Sequence, residues 1–216
     1  MAWSRTLFLL AAFCFAFLPS KAQSVNSCTD LANLRIEAVE VTKAAAVPAG
    51  VTVPPPYPGA PGIGPLPAHC RIDGVIDRRK GVDGEEFGIG FAVALPDKEA
   101  WNGDFMMQGG GGGNGVVAYP AGASYSGDKP ALVRGFAVSS TDSGHKANTG
   151  PFDFSFMRDQ QAYLDFAYMA NAEVAGVAKR WRTHYNTIRP HSSLGYKPPA
   201  PQAWLTNNKM PWRSGN

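Results

Sequence analysis

The sequence predicts an α/β protein, because five short apolar runs typical of β-strands precede one long amphipathic helix. A second observation is a run of glycines directly after the fourth of these strands. The 216 residues are 44% apolar, so the chain is long enough to bury a core. Its 24 glycines and 18 prolines concentrate in a few places, which predicts loops and tight turns between the strands.

The first 22 residues have the features of a secretory signal peptide. Arg5 provides the positive charge, Thr6–Leu18 is an uncharged apolar run, and small residues at Ser20 and Ala22 precede Gln23. The apolar run of 13 residues is too short for a membrane span, which needs about 20 residues. We therefore expect residues 1–22 to be removed and the protein to be secreted or periplasmic, with no membrane association after cleavage.

Removal of residues 1–22 leaves two cysteines, Cys28 and Cys70. An even pair in an oxidising compartment favours one disulfide. That bond would close a loop of 42 residues and would stabilise the fold by about 4 kcal/mol through chain entropy.

The remaining elements follow from apolar periodicity and from turn residues. We expect the strands at His69–Ile76 and Phe87–Leu95 to pair antiparallel. The other expected elements are a short helix leading into a strand over Cys28–Val41, a proline-rich surface loop over Val47–Pro67, strands at Trp101–Gln108 and Gly135–Asp142, and a helix over Phe154–Arg180 capped by Asp153 and Ser155.

The charge of the chain changes abruptly after Lys179. Residues 180–216 contain six Arg and Lys and no Asp or Glu, a formal charge of +6, which leaves −3 for residues 1–179. We predict a boundary here, between a domain over residues 23–179 and an irregular basic tail over residues 180–216. A basic tail that is merely solvated is the alternative.

The glycine run is the most unusual local feature. After an apolar strand ending at Gln108, the glycines let the backbone turn several N–H groups toward a ligand, as in the oxyanion holes of hydrolases. The residues expected to form this loop are Gly109, Gly110, Gly111 and Gly112. Two alternatives remain open: a phosphate cradle, although the Gly-Lys-Ser/Thr ending of a P-loop is missing, and a flexible hairpin without function.

Four motifs, taken in order, resemble the tannase and feruloyl esterase family over about residues 24–179. They are Pro67–Gly74, then Leu95–Pro96 with Trp101–Phe105, then Gln108 with its glycines, and finally Gly135–His145.

This resemblance implies a secreted serine esterase of the α/β-hydrolase type that acts on phenolic esters and needs no cofactor. The family's nucleophile lies in a Cys-Ser-x-Gly-Gly segment after the helix, and its acid and histidine come later. No such segment occurs in these 216 residues. We therefore expect an amino-terminal fragment of the fold with an incomplete sheet, no catalytic residues and no hydrolytic activity.

The other polar residues do not suggest a second centre. Asp142, Ser143 and His145 lie too close in sequence to converge as a triad, so we assign Asp142 and His145 to the scaffold near the site. His69 is interpreted as a turn residue. No metal site is expected, because the four histidines, His69, His145, His184 and His191, lack partners at ligand spacing.

The tail, from Trp181 to Pro201, resembles the closing segment of transposases of the retroviral-integrase type. Their chemistry needs three carboxylates around two Mg²⁺ ions, and residues 180–216 contain none. At most, weak non-specific contact with nucleic acid is expected through the basic residues. Two further functions thus stay open beside the inactive esterase: a protein related to DNA integration, and a secreted module that binds phenolic compounds without catalysis.

Overall fold

The computed structural model describes residues 28–55, 61–122, 129–150 and 152–188, and for residues 182–188 it describes the backbone alone. The predicted signal peptide lies outside these ranges. The described chain forms a five-stranded sheet followed by a long helix. The strands are β1 (Val39–Val47), β2 (His69–Lys80), β3 (Glu86–Pro96), β4 (Phe105–Gln108) and β5 (Ala137–Thr141).

The strands lie in the order β1-β2-β3-β5-β4. The predicted antiparallel pairing of β2 with β3 is confirmed, with Ile72 opposite Val93. β5 is antiparallel to β3, and β4 is parallel to β5. Because β4 and β5 run in the same direction, the loops that follow them meet at one edge of the sheet.

The helix begins later and ends later than the sequence predicted. A 3₁₀ turn (Ser155–Arg158) comes first, and Asp159 then caps α1 (Gln160–Leu164) by accepting a hydrogen bond from the Ala162 N–H at 2.8 Å. A π turn (Asp165–Met169) leads without a break into α2 (Ala170–Ile188). The helix therefore continues through Arg180, and the segment expected to be irregular begins with eight more helical residues.

One face of the sheet packs against α2 in what we call the first cluster. Phe91 and Val93 of β3 meet Val174 and Trp181 of the helix there. Trp181 is completely buried, although it lies beyond the predicted boundary at Lys179. Its burial explains why the helix does not end at Arg180, since helices in proteins are stabilised mainly by packing of an apolar face.

The opposite face of the sheet is covered by the second cluster, which includes Ala94, Val138 and the completely buried Leu132. Part of the proline-rich segment belongs to it, because Leu66 is 1% exposed. The Leu66 N–H donates to the Val51 carbonyl at 2.8 Å. The prediction of a surface loop over Val47–Pro67 was therefore wrong for these residues. Prolines prevent the hydrogen bonds of a β-ladder, but they do not prevent apolar side chains between them from packing in the core.

The predicted disulfide between Cys28 and Cys70 is confirmed, with Cα atoms 5.4 Å apart. It ties the 3₁₀ turn at Thr29–Asn33 to β2 and holds Leu31 of this turn in the first cluster. None of the helices in the described ranges has the length and apolar character to cross a membrane.

Candidate active-site loop

The glycine loop starts where β4 ends, beside the segment that follows β5. Gly109–Gly112 are exposed, whereas Gly113 and Gly115 are buried. Two main-chain hydrogen bonds fix the buried end: the Gly115 N–H donates to the Asp142 carbonyl at 3.1 Å, and the Ala147 N–H donates to the Gly115 carbonyl at 3.0 Å. The loop is thus fixed at one end and open to solvent in its first half.

Asn114 fastens the loop to the end of β5. Its amide nitrogen Nδ2 donates to the Thr141 carbonyl at 2.9 Å and to Ser143 Oγ at 2.8 Å. Its backbone N–H donates back to the Gly111 carbonyl at 2.9 Å. Asn114 adopts a positive φ of 54°, which asparagine tolerates better than most residues. The role of Asn114 was not predicted from the sequence, in which the feature that indicates it is an asparagine within a glycine run.

The glycines of the loop are not equivalent. A Cβ atom at Gly110 would collide with the side chain of Asn114, whereas one at Gly109 or Gly111 would meet nothing within 4 Å. Glycine is therefore required at Gly110 by the close approach of Asn114. Above Gly109 and Gly111 there is room for another molecule.

The main-chain N–H groups of Gly109–Gly113 donate no hydrogen bond to any residue in the described part of the chain. The N–H groups of the exposed residues Gly109–Gly112, on a loop fixed at its far end, can donate hydrogen bonds to a negatively charged oxygen. The oxyanion-hole loop predicted from the sequence would use such donors. A phosphate cradle uses the same donors, but the sequence lacks the Gly-Lys-Ser/Thr ending of a P-loop.

The carboxylate of Asp142 points into the protein rather than toward the loop's open side. Its Oδ1 accepts hydrogen bonds from the N–H groups of Gly90 and Gly144, each at 2.9 Å. Burial raises the pKa of Asp142 to about 7, despite these two bonds, which favour the charged form. Asp142 thus joins β5 to β3 beneath the loop and does not reach a ligand above it.

His145 is also buried, with 2% exposure. Its ring stacks on Phe156 at a centroid distance of 3.6 Å, and Phe166 meets it edge-on at 5.6 Å. Neither ring nitrogen has a hydrogen-bond partner in the described part of the chain. Burial lowers the pKa of His145, although the backbone of Ser143 and Gly113 nearby acts in the opposite direction. His145 is therefore a neutral ring packed among aromatics.

Gly144 brings the helix close to this segment. It adopts φ of +88°, and a Cβ atom there would lie 2.5 Å from Cβ of Asp165 in the π turn. The positive φ and the close approach both require glycine at this position. The turn after β5 consequently contacts the glycine loop on one side and the helix on the other.

His69 forms a separate polar pair with Tyr119. Nδ1 of His69 lies 2.7 Å from the Pro67 carbonyl oxygen and Nε2 lies 2.7 Å from the Tyr119 hydroxyl. Because a carbonyl only accepts, Nδ1 carries the proton and Nε2 accepts from Tyr119. Burial lowers the pKa of His69, in keeping with this neutral form. His69 begins β2, so its interpretation as a turn residue was wrong.

No serine hydroxyl in the described ranges is hydrogen-bonded to a histidine. Ser139 Oγ donates to Met107 Sδ at 2.9 Å, and Ser140 Oγ donates to the Ala118 carbonyl. Ser143 Oγ accepts from Asn114. The described chain also contains no group of three or more side chains placed to hold a metal ion. Of the predicted site residues, the structure brings the glycine loop and Asp142 together. In the described ranges, no hydrogen-bonded pair of a serine and a histidine lies beside them.

Comparison with known proteins decides the family. The family model described as tannase and feruloyl esterase matches residues 70–196, more than half of the chain. The chain belongs to the tannase and feruloyl esterase family. The family match extends 17 residues past the predicted boundary at Lys179. The helix also continues past this boundary and ends at Ile188. The transposase likeness of residues 180–216 stays a prediction, and most of that segment lies outside the described ranges.

Individual proteins similar to this chain are also esterases or ester hydrolases by name. Mono(2-hydroxyethyl) terephthalate hydrolase of Piscinibacter sakaiensis is 38% identical over 120 residues, which are 53% of this chain and 20% of that enzyme. An uncharacterized esterase of Xanthomonas campestris pv. campestris is 33% identical over 190 residues, 88% of this chain and 29% of that protein. This tannase-family chain thus spans less than a third of the length of these relatives.

Among solved structures, feruloyl esterase B of Aspergillus oryzae superposes with a TM-score of 0.54 and 26% identity, covering 74% of this chain and 28% of the esterase. The predicted fold class is thereby confirmed: the mixed five-stranded sheet with its single long helix is an incomplete α/β fold of the α/β-hydrolase type.

Proposed function

We propose that this chain carries the oxyanion-loop part of a secreted carboxylic ester hydrolase, and that the 216 residues alone do not hydrolyse esters. The observation that supports the first half is the glycine loop after β4, with N–H groups unused by other described residues and open space above Gly109 and Gly111. In ester hydrolysis such donors stabilise the negative charge that develops on the carbonyl oxygen.

The second half of the proposal rests on the missing nucleophile. The sequence has no Cys-Ser pair. The side chains of the described serines interact with Met107, Ala118, Asn114 and Asp153 rather than with a histidine. A loop that stabilises charge cannot form an acyl-enzyme without an activated hydroxyl. In this proposal the 216 residues supply the loop that stabilises charge but not the nucleophile.

The substrate class we propose is the ester of an aromatic carboxylic acid. Support comes from the names of two similar proteins, a terephthalate monoester hydrolase and a feruloyl esterase. Export is proposed as well, because a disulfide is stable in an oxidising compartment and Cys28 and Cys70 form one.

Two assays test the proposal. The purified chain is incubated with p-nitrophenyl acetate and with methyl ferulate, and product release is compared with buffer. We expect no excess release and no labelling by a serine-directed fluorophosphonate. Turnover that the fluorophosphonate abolishes would show that the chain has its own nucleophile and would end the proposal of inactivity.

The loop's role is tested in a chimera. The 120-residue segment of the terephthalate hydrolase that matches this chain is replaced by the matching residues of this chain, with and without Gly110→Ala. We expect the chimera to hydrolyse its ester and the loop variant to lose about 10²-fold or more in kcat, because the new Cβ collides with Asn114 and moves the N–H groups of the loop away from the carbonyl oxygen, which has the same effect as losing an oxyanion donor. Val133→Ala, at an exposed residue outside the loop, is the matched control. Equal kcat values for all three proteins would refute the loop's role.

A further inference from the structure

The glycine loop is the first part of a longer loop whose two ends are joined by one side chain. Gln108, the last residue of β4, accepts a hydrogen bond at its Oε1 from the Gly122 N–H, 14 positions later in the sequence, at 2.7 Å. A compact loop of roughly 6–16 residues whose ends lie close together is an Ω-loop. Residues 109–121 form such a loop, which we call the Ω-loop, and the glycine run is its first third.

Gln108 is a buried polar residue on an apolar face of the sheet. It is 8% exposed. Met106, two residues earlier and therefore on the same face, packs against the second cluster. Burial of an amide side chain costs free energy unless the amide is hydrogen-bonded. The bond to Gly122 reduces this cost and fixes the direction of the Gln108 side chain.

Gly122 is itself fixed against the second cluster. Its carbonyl accepts a hydrogen bond from the Ala131 N–H at 3.1 Å. Its φ is +67°, and a Cβ atom there would lie 2.6 Å from Cβ of Ala131. The positive φ and the close approach both require glycine at this position. The side chain of Gln108 therefore ties the start of the Ω-loop to a tightly packed point of the core.

The second half of the Ω-loop is held by further contacts with the sheet. Ser140 Oγ on β5 donates to the Ala118 carbonyl. The hydroxyl of Tyr119 lies 2.7 Å from Nε2 of His69 on β2. With the bonds of Asn114, these contacts fix the loop on the far side of the glycine run, and Gln108 fixes it on the near side.

We propose that Gln108 is a positioning residue for the oxyanion loop: its bond to Gly122 closes the base of the Ω-loop and so fixes the direction of the N–H groups of Gly109–Gly113. This inference rests on the proposed function, because it assumes that these N–H groups stabilise a developing negative charge. Gly109 follows Gln108 directly, so any rotation of the Gln108 backbone turns the first donor of the loop.

The chemistry of the amide fits this role. Donors that are held in place before the reaction stabilise developing charge without a cost for reorganisation. The side-chain oxygen of Gln108 accepts the Gly122 N–H without placing a full negative charge at the base of a loop that is to stabilise a negative oxygen. A side chain of the same length without an acceptor would leave the loop fixed only on its far side.

Three variants of the full chain separate this role from a general effect on stability. Gln108→Met keeps the length of the side chain but removes the amide oxygen. Gln108→Glu keeps an oxygen that accepts the Gly122 N–H, whether the carboxyl is charged or neutral. Asn102→Leu is the matched control, because Asn102 also accepts a backbone N–H, that of Asp104 at 2.8 Å, in the exposed turn before β4.

The first measurement follows the glycine amides by ¹⁵N relaxation in the full chain. We expect order parameters of about 0.85 for Gly109–Gly113 in the parent, in Gln108→Glu and in Asn102→Leu, and values below about 0.6 in Gln108→Met. The Gly122 amide should lose protection from exchange only in Gln108→Met. If Gln108→Met does not fold, Gln108→Asn, whose side chain is too short to reach Gly122, replaces it with the same expectations. Mobile glycine amides in the parent itself would overturn the inference.

The second measurement is catalysis by the chimera with the terephthalate hydrolase, with active sites counted by the fluorophosphonate. We expect Gln108→Met to lower kcat about 10-fold or more while KM changes less than about 2-fold, because the donors act on charge that develops in the transition state. Gln108→Glu should keep its kcat even though the buried carboxyl lowers its urea midpoint. Asn102→Leu should lower the urea midpoint alone.

The outcomes distinguish this inference from the proposed function. An unchanged kcat in Gln108→Met, where Gly110→Ala lowers kcat, would overturn the inference and leave the proposed function standing. Equal losses of kcat in Gln108→Met, Gln108→Glu and Asn102→Leu would indicate a general loss of stability and would also overturn it. If the chimera is inactive or Gly110→Ala has no effect, the proposed function fails, and the order parameters of Gly109–Gly113 then decide whether Gln108 positions the loop.

Discussion

The indole of Trp181 packs against the ring of Phe91 with their centroids 5.5 Å apart, in the core between α2 and β3. Trp181 lies two residues past the predicted boundary at Lys179, yet it is completely buried. The charge change in the sequence therefore does not coincide with the end of the folded part. At least the first residues of the basic segment are part of this fold.

Replacing Trp181 should reveal this contribution. Trp181→Ala is expected to lower the free energy of unfolding by about 3–5 kcal/mol, the usual cost of deleting a buried tryptophan. Trp181→Phe should cost much less, because Nε1 of the indole is buried without a hydrogen-bond partner among the described residues. Urea unfolding followed by circular dichroism measures both. Arg180→Ala, at the neighbouring exposed position, is the control, and a similar loss for all three variants would contradict the packing described.

The buried carboxyl of Asp142 should make stability depend on pH. Its pKa is about 7 in the folded protein, against an ordinary value of 3.8 for an aspartate side chain, so folding favours the protonated form. The stabilisation is complete below pH 4 and is lost as the pH rises through 7, at about 1.4 kcal/mol per unit of pKa shift. Asp142→Asn keeps an acceptor for Gly90 and Gly144 but does not ionise. We expect its urea midpoint to fall less than that of the parent protein between pH 5 and pH 8.

Exposed Asp104 provides the comparison for this titration. Asp104→Asn should leave the difference in stability between pH 5 and pH 8 unchanged. If Asp142→Asn behaves in the same way as Asp104→Asn, the Asp142 carboxyl is not held in the buried environment described here.

Gly110 and Gly111 should respond differently to alanine. Gly110→Ala forces the new Cβ against Asn114 and should cost about 1–3 kcal/mol, as overpacking usually does. Gly111→Ala should change stability by less than about 0.5 kcal/mol. Combining Gly110→Ala with Asn114→Gly, which removes the obstructing side chain and keeps a positive φ accessible, should cost less than the sum of the two single changes. Additive costs in urea unfolding would mean that Gly110 and Asn114 do not touch.

Loss of the disulfide should weaken the fold substantially. The bond joins residues separated by 42 positions, and its removal is expected to cost about 4 kcal/mol on the chain-entropy model. The double variant Cys28→Ser with Cys70→Ser should therefore unfold at lower urea concentration than the parent. A reducing agent should lower the parent's midpoint to the same value and leave the variant unchanged. A parent protein insensitive to reduction would contradict this account.

The strands were predictable because their apolar residues alternate and turn residues separate them. The prediction placed both ends of β3 within one residue, whereas β2 continues to Lys80, past its predicted end at Ile76. The antiparallel pairing of the two strands followed from their proximity in sequence. The carboxyl end of the helix was not predicted, because the charge changes inside the helix and not at its end. The apolar spacing continues through the predicted boundary, over Val174, Val177, Ala178 and Trp181. The prediction for the described part of the proline-rich segment was wrong because prolines prevent the hydrogen bonds of a β-ladder but do not prevent a neighbour such as Leu66 from packing in the core.

The site was predictable only as a location. A glycine run after a strand indicated the loop, but periodicity gives no information on which glycine is required by contact. The role of Asn114 depends on a parallel neighbour, β5, whose end comes 27 residues later in the sequence. The orientation of Asp142 likewise depends on Gly90, 52 residues away.

The π turn at Asp165–Met169 holds one residue more than a regular α-helical turn would. Deleting a single residue there would restore an unbroken α-helix and would leave the later side chains, including Trp181, on the face that covers the sheet. Deleting a residue after Met169 would instead rotate every later side chain by about 100° around the axis and would turn Trp181 away from the sheet. The π turn therefore accommodates one additional residue between the aromatic start of the helix and the end that covers the sheet without changing the angle between them.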